Sequence, residues 1–320
     1  MINLLIFGNE KYYDAIKRIS ISMKSINDIK LIIITDKDLE NTYKDFWNIH
    51  NEFISSNSIG YGYWIWKPYI ILKTIDDLNA DDILIYMDSG CELNHHNIDK
   101  LYEYINMVKQ SEYGIISFEM KGFLEKQWTK KNVFMHFNCL DNKQITDTNQ
   151  YLGGVIIMKK CIHVLKLLKL WYDTLSNYVL LDNTKNNEGD YFINHRNDQS
   201  IFSVIRKIYG SVVLPDNMYI KMKESYSEPI LVSRNKTIYP YVDMNTYYIK
   251  QNDIKKIYIY EGESKKKHFK KYKKAYGKFL KKGKIRTTHE LFQIPFNAIN
   301  HLKINKNQRI SFGSTIVLKK

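Results

Sequence analysis

Two acids stand where apolar runs end: Asp36 closes IKLIIITD (29–36) and Asp88 closes ILIYMD (83–88), with Ser89 and Gly90 following. A carboxylate that leaves a strand as a turn begins can reach a ribose hydroxyl or a divalent cation. An Asp before Ser-Gly also starts turns for local reasons alone. Lys130, Lys131 and Arg196 are cations that could neutralise a diphosphate, since a fixed ammonium or guanidinium does the electrostatic work of a metal ion there. Taken one by one, each reads first as a solvated surface charge. Asn197 and Asp198, ahead of the apolar run in HRNDQSIFSVI (195–205), suit the start of a helix as cap and polar first turn.

The elements that must position these residues are legible as periodic runs. INLLIFG (2–8), IKLIIITD and ILIYMD read as strands, with helix signals over 11–26 and after Pro68 between them. Apolar strands joined by helices predict an α/β domain with a mostly parallel sheet covered on both faces. In such sheets ligands bind at the carboxyl ends of the strands, which is where Asp36 and Asp88 fall. YGIISFE (113–119) and YLGGVIIMKK (151–160) read as further strands. The segment 159–179 reads as an amphipathic helix, 191–210 as mainly helical, and VVLPD (212–216) as a last strand of the core or a loop beside it.

The segment GYGYWIWKPYIILKTIDDLNADDILIYMDSGCEL (60–93) resembles the donor-binding region of GT-A glycosyltransferases, glycogenin-like and related retaining enzymes among them. There a helix bearing a basic residue precedes an apolar strand that ends in an Asp-x-Asp motif. YLGGVIIMKK is similar to the Gly-containing strand that lines the sugar pocket, and HRNDQSIFSVI to the Asp-Gln helix start of several retaining families. The resemblance spans about residues 1–220. It implies a GT-A, Rossmann-like catalytic domain over 1–250, followed by a basic, partly helical extension over 251–320. It also implies transfer of a sugar from a nucleotide-diphosphate donor to a glycan, lipid or protein acceptor, in surface glycan assembly. By the same resemblance Lys67, Asp88, Ser89, Gly90 and Gly154 line the donor site, Asp198 and Gln199 face the donor sugar and acceptor, and Asp88 holds Mn or Mg. The Asp-Gln pair favours retention over inversion. The chain departs from the pattern at Gly90, which stands where the second Asp would be. Glu92 could replace it only on a bent turn. That departure puts the metal in question and leaves Lys130, Lys131 and Arg196 as cationic substitutes.

Composition narrows the alternatives. Three cysteines, Cys91, Cys139 and Cys161, make neither a disulfide framework nor a zinc site and favour a reducing compartment. Met1 leads straight into INLLIFG, and no apolar run approaches membrane-spanning length, so the expectation is a cytoplasmic protein. The net charge of +14 resides in the C-terminal part: residues 265–320 hold 17 Lys and Arg against one Glu, and the rest is nearly neutral. That distribution speaks against a nucleic-acid enzyme, which spreads basic charge over its catalytic groove. GNEKYY (8–13) lacks the Gly-rich basic loop of a nucleotidyltransferase. A degenerate scaffold, or a basic lipid- or nucleic-acid-binding protein working through its tail, are the remaining alternatives.

Within the tail, 265–286 carries 12 Lys and Arg and no acid, with Phe269, Tyr272, Tyr276 and Phe279 at helical spacing. The expectation is a peripheral contact with an anionic membrane face near a lipid-linked acceptor, each basic residue contributing about 1 kcal/mol; packing on the catalytic domain is the competing role. Co-sedimentation should show the full chain binding anionic but not neutral vesicles, with binding weakened by salt and lost on deleting 265–286. Indifference to anionic vesicles at low salt would end this reading.

Overall fold

A computed structural model describes residues 1–185, 187–219, 225 and 227–238, together with the backbone of three short strands at 256–260, 291–293 and 315–319. The expected basic helix at 265–286 lies outside the described residues.

Four strands form the central sheet in the order β2–β1–β3–β7: β1 (Ile2–Gly8), β2 (Ile29–Thr35), β3 (Ile83–Met87) and β7 (Val155–Lys159). β1 runs parallel to β2 and β3, and β7 closes the sheet antiparallel to β3. Side chains alternate across a strand, so a strand buried on both faces reads as one apolar run. Leu5, Phe7, Leu84 and Tyr86 enter one core, with the helices Trp66–Asp76, Ile162–Leu175 and Asn197–Tyr209. Leu4, Ile6, Ile83, Ile85 and Met87 enter the other, with Tyr13–Ser22 and Ile98–Gln110. The sheet is therefore covered on both faces, as the apolar runs predict.

Beside it lies a second sheet, β6–β5–β8, with β5 (Ile116–Leu124) parallel to β8 (Val212–Pro215) and antiparallel to β6 (Asn149–Tyr151). A two-stranded ladder joins β4 (Glu92–Leu93) to β9 (Ile230–Leu231). The strands β10 (Lys256–Tyr260), β11 (Leu291–Gln293) and β12 (Thr315–Lys319) form an antiparallel sheet of their own. Among the described residues no helix is long and apolar enough to cross a membrane.

Three local expectations need correction. YLGGVIIMKK is not one strand: β6 ends at Tyr151 and β7 starts at Val155, because the backbone between them changes partners. Leu152 N–H bonds to Phe118, Gly153 N–H to the Gln199 side chain, and the Gly154 carbonyl to Asp88 N–H. The helix expected from 191 starts at Asn197, and VVLPD belongs to the second sheet rather than the central one.

The helix Asn197–Tyr209 is anchored by a buried polar network. The carboxylate of Glu125, fully buried, accepts from Thr129 Oγ1 at 2.7 Å, Gln150 Nε2 at 2.9 Å and Ser203 Oγ, and pairs with Lys207 Nζ at 2.8 Å. A buried charge is tolerated only when its oxygens are satisfied in this way.

Candidate active site

β3 delivers Asp88 to the carboxyl edge of the sheet, beside Gly8 and Thr35 at the ends of β1 and β2. The antiparallel β7 begins at that same edge, where Met87 faces Val155 and Asp88 N–H bonds to Gly154 O at 2.8 Å. A Cβ on Gly154 would sit 2.8 Å from Asp88 Oδ2, so the glycine leaves room for this carboxylate. Tyr86, two residues back on the same strand face, donates its hydroxyl to Asp88 Oδ1 at 2.7 Å. The Asp88 side chain keeps 41% of its surface exposed, whereas Ser89 is buried and donates its hydroxyl to Phe7 O. Ser89 therefore ties the β3 turn to β1, and Asp88 is the group turned outward.

Behind Asp88 lies the ammonium of Lys67, from the first turn of the helix Trp66–Asp76. Its Nζ is 3.4 Å from Asp88 Oδ1, 2.8 Å from Asp198 Oδ2 and 3.3 Å from Gly153 O. The side chain is only 3% exposed, so the lysine that the resemblance places in the donor site is a buried ion-pair centre. Burial opposes its charge, but Asp198 and Asp88 outweigh that and hold its pKa above the usual lysine value. For Asp198 the balance is reversed: burial, aided by repulsion from Asp88, lifts its pKa to about 6 against the pull of Lys67.

The Asp198 helix starts without a side-chain cap. Asn197 has φ +48°, in the left-handed region that Asn tolerates. Its amide donates to Leu181 O at 2.8 Å and Asn183 Oδ1 at 3.0 Å instead of closing the helix. Trp171 Nε1 holds Asp198 O at 3.1 Å. Gln199 accepts from Gly153 N–H at 2.9 Å and donates to Gln150 Oε1 at 2.7 Å, which braces the Gly153–Gly154 segment against which Asp88 rests. Capping thus explains neither residue of the Asp-Gln pair.

The other expected cations divide. Lys130 is buried and donates to Asp182 at its carbonyl (2.8 Å) and its Oδ1 (2.9 Å). It is neither a surface charge nor joined to the Lys67 cluster, and burial lowers its pKa despite Asp182. The Lys131 amide donates to Glu188. Arg196 does adjoin the site: its guanidinium lies 4.4 Å from the Phe123 ring and 4.1 Å from Trp128, and Nη1 is 3.6 Å from Met120 Sδ. Gln199 Nε2 contacts the same sulfur at 3.5 Å.

The resemblance implies Mn or Mg, but the residues present do not fit a chelating site. Among the described residues no group of three or more His, Cys, Asp or Glu converges to hold a metal. Asp198 Oδ2 faces Lys67, and Glu92 Oε1 accepts from Ser233 Oγ at 2.8 Å and Asn235 Nδ2 at 3.0 Å. A Cβ on Gly90 would lie 3.2 Å from Arg234 Cα, tight for any side chain and so for a second acid.

Two features escaped sequence reasoning. Residues 60–64 form a turn with five successive positive φ values, from +53° to +81°. A Cβ on Gly60 would strike the Trp64 ring and one on Gly62 would strike Ile54, so both glycines are required there. The turn feeds Trp66, which stacks on Phe7 at 3.7 Å and leads into Lys67. The second feature is the segment Ser233–Thr237, folded onto Gly90; its local signal, SRNKT after an apolar run, is too weak to read alone.

No protein-family model matches this sequence, and no curated protein matches it. Among solved structures the chain is similar to mouse xyloside xylosyltransferase 1 in its apo form, at 12% identity over 75% of this chain and 99% of that one, TM-score 0.43. It is similar to a glycosyltransferase involved in glycosylation of the major capsid of PBCV-1, at 12% identity over 72% and 93% of the two chains, TM-score 0.40. A third is the galactosyltransferase LgtC in complex with donor and acceptor sugar analogs, at 12% identity over 68% and 73%, TM-score 0.36.

The ion cluster generates a stability prediction. Lys67→Met leaves Asp198 buried and uncompensated and should cost about 3–5 kcal/mol in urea unfolding. Adding Asp198→Asn should recover a large part of that loss. If the two losses simply add, Lys67 does not hold Asp198 in place.

Proposed function

We propose that this chain is a GT-A glycosyltransferase that moves a sugar from a nucleoside-diphosphate donor to a glycan or lipid-linked acceptor. The observation that carries the reading is the convergence of Asp88, Lys67, Asp198 and Gln199 at the carboxyl edge of the central sheet. They come from three separated elements: Asp88 and Asp198 share the buried Lys67 ammonium, and Gln199 holds Gly153, whose carbonyl lies against that ammonium.

The exposed Asp88 carboxylate is the group that meets the donor, at the ribose or the sugar hydroxyls. Lys67 is a positioning residue: too deep to touch the donor, it sets the distance between Asp88 and Asp198. As the bond from the sugar's anomeric carbon to phosphate stretches, positive charge builds on the sugar. Ionised Asp198, in a dry site, stabilises that charge more than it would in water. Gln199 keeps the Gly153–Gly154 wall in register with Asp88. In the retaining course the acceptor oxygen bonds to the anomeric carbon on the face the phosphate leaves, and the departing phosphate oxygen takes the acceptor's proton. Gly90, closed off by Arg234, favours a second reading, a scaffold that binds nucleotide without turnover.

Purified full-length protein, offered a panel of uridine and guanosine diphosphate sugars, should hydrolyse or transfer at least one of them. Asp88→Asn should lower that turnover by about 100-fold or more, as expected for a transition-state contact, while the protein stays folded and melts cooperatively. Binding without turnover across the panel supports the scaffold; neither binding nor turnover defeats both readings.

Activity should depend on pH through Asp198. Its raised pKa keeps the carboxyl neutral below about 6, so kcat/KM should rise with pH through an apparent pKa near 6. Asp198→Asn should remove that limb together with most of the rate. A limb that persists in the variant would assign it to another group.

A further inference from the structure

The segment Ser233–Thr237 is locked onto the turn that carries Asp88. Arg18, buried in the helix Tyr13–Ser22, donates to the carbonyls of Ser89, Cys91 and Asn235 at 3.1 Å each, and to Thr237 O. Asn235 N–H and Ser233 Oγ both donate to Gly90 O at 2.9 Å. Glu92 binds the side chains of the same two residues. One buried guanidinium and one buried carboxylate thus rivet the two loops together.

The lock leaves Arg234 in an unusual position. Its φ is +53°, a conformation an arginine keeps only where its surroundings over-determine it. Its backbone fills the space beside Gly90, while the residue itself is exposed. The guanidinium carbon is 6.0 Å from the Tyr219 ring centroid. Arg196, which shares the Met120 sulfur with Gln199, is near enough to act on the same tyrosine electrostatically, and both guanidiniums pull against the burial that raises the Tyr219 pKa. The two arginines are also close enough to repel: after burial, Arg234 is what lowers the Arg196 pKa. Neither forms an ion pair among the described residues. Two guanidiniums that both act on Tyr219, neither ion-paired to a carboxylate among the described residues, concentrate positive charge beside the site. An anion would balance it, and planar guanidinium forks match phosphate oxygens in pairs.

We infer that Arg196 and Arg234 form a two-armed clamp for the donor's diphosphate, and that this clamp supplies the positive charge a divalent cation would otherwise bring. The inference rests on the nucleotide-sugar reading of the site. It accounts for the poor fit of the carboxylates to a metal, since Gly90 lacks a side chain where the Arg234 loop must enter. When the sugar's anomeric bond to phosphate breaks, its electron pair passes to the diphosphate oxygen, and the two guanidiniums neutralise that charge while the acceptor oxygen takes its place on the sugar.

The test uses the full-length chain and inorganic pyrophosphate, titrated by calorimetry in excess chelator. Wild-type protein should bind pyrophosphate without metal. Arg234→Gln should weaken binding about tenfold or more, as for the loss of charge-assisted hydrogen bonds. Arg234→Lys should recover only part, because the planar fork is lost. Arg234 is exposed, so its variants should melt like wild type; Arg196→Lys, which keeps the charge between the two rings, should also weaken binding. The clamp is overturned if pyrophosphate binds only after Mn²⁺ or Mg²⁺ is added, if it does not bind at all, or if Arg234→Gln binds it as wild type does. Sugar transfer that chelator abolishes and Arg234→Gln leaves intact would remove the clamp and keep the transferase. Arginine-dependent pyrophosphate binding with no donor turned over would do the reverse.

Discussion

One buried ammonium organises this protein. Lys67 lies against two carboxylates and a backbone carbonyl, and each belongs to a different part of the chain. Taking the charge out of water is costly, and the cost is offset only while those partners stay in place. The ammonium therefore constrains three elements at once: the helix that carries it, the β3 end that presents Asp88, and the helix start that presents Asp198. Its own approach is set by the left-handed turn at 60–64 and by Trp66 stacked on Phe7.

Around that centre the backbone is arranged so that polar groups change partners without being orphaned. Between β6 and β7 the chain bonds in turn to β5, to Gln199 and to Asp88. This hand-over breaks what would be a single strand and creates the glycine wall against Asp88. The Glu125 network fixes the opposite side, because Ser203 and Lys207 lie on the helix that begins with Asp198 and Gln199. The exposed mouth of the site thus sits on a buried polar floor, which suits a constellation that must stay ordered before any ligand arrives.

The positive charges show why charge type alone is a poor guide to role. Lys67, Lys130 and Arg196 look alike in the sequence. Lys67 is a buried centre, Lys130 is paired with Asp182 away from it, and Arg196 lies between two aromatic rings beside the site. The carboxylates separate in the same way. Asp88 is turned outward, Asp198 inward, and Glu92 toward Ser233 and Asn235. What distinguishes them is the neighbour each one meets, and those neighbours are distant in the chain.

The sequence by itself determined the sheet and the placement of Asp88. The stretches Leu4–Phe7 and Ile83–Met87 are apolar without alternation because both strand faces are buried, and this is a local property that composition records. It also placed Asp198 and Gln199 at a helix start, within two residues of where the helix begins. The tertiary structure alone decided that Lys67 is buried, that Asp198 meets it rather than capping its helix, and that Arg18 ties Ser233–Thr237 to the Asp88 turn. The Arg18 contacts join groups from 71 to 219 positions apart, and Lys67 meets Asp88 and Asp198 from a third element, the helix Trp66–Asp76. Ion pairs and side-chain bonds to carbonyls leave no periodicity in the chain, so the groups that carry them look like ordinary polar residues until the fold brings them together.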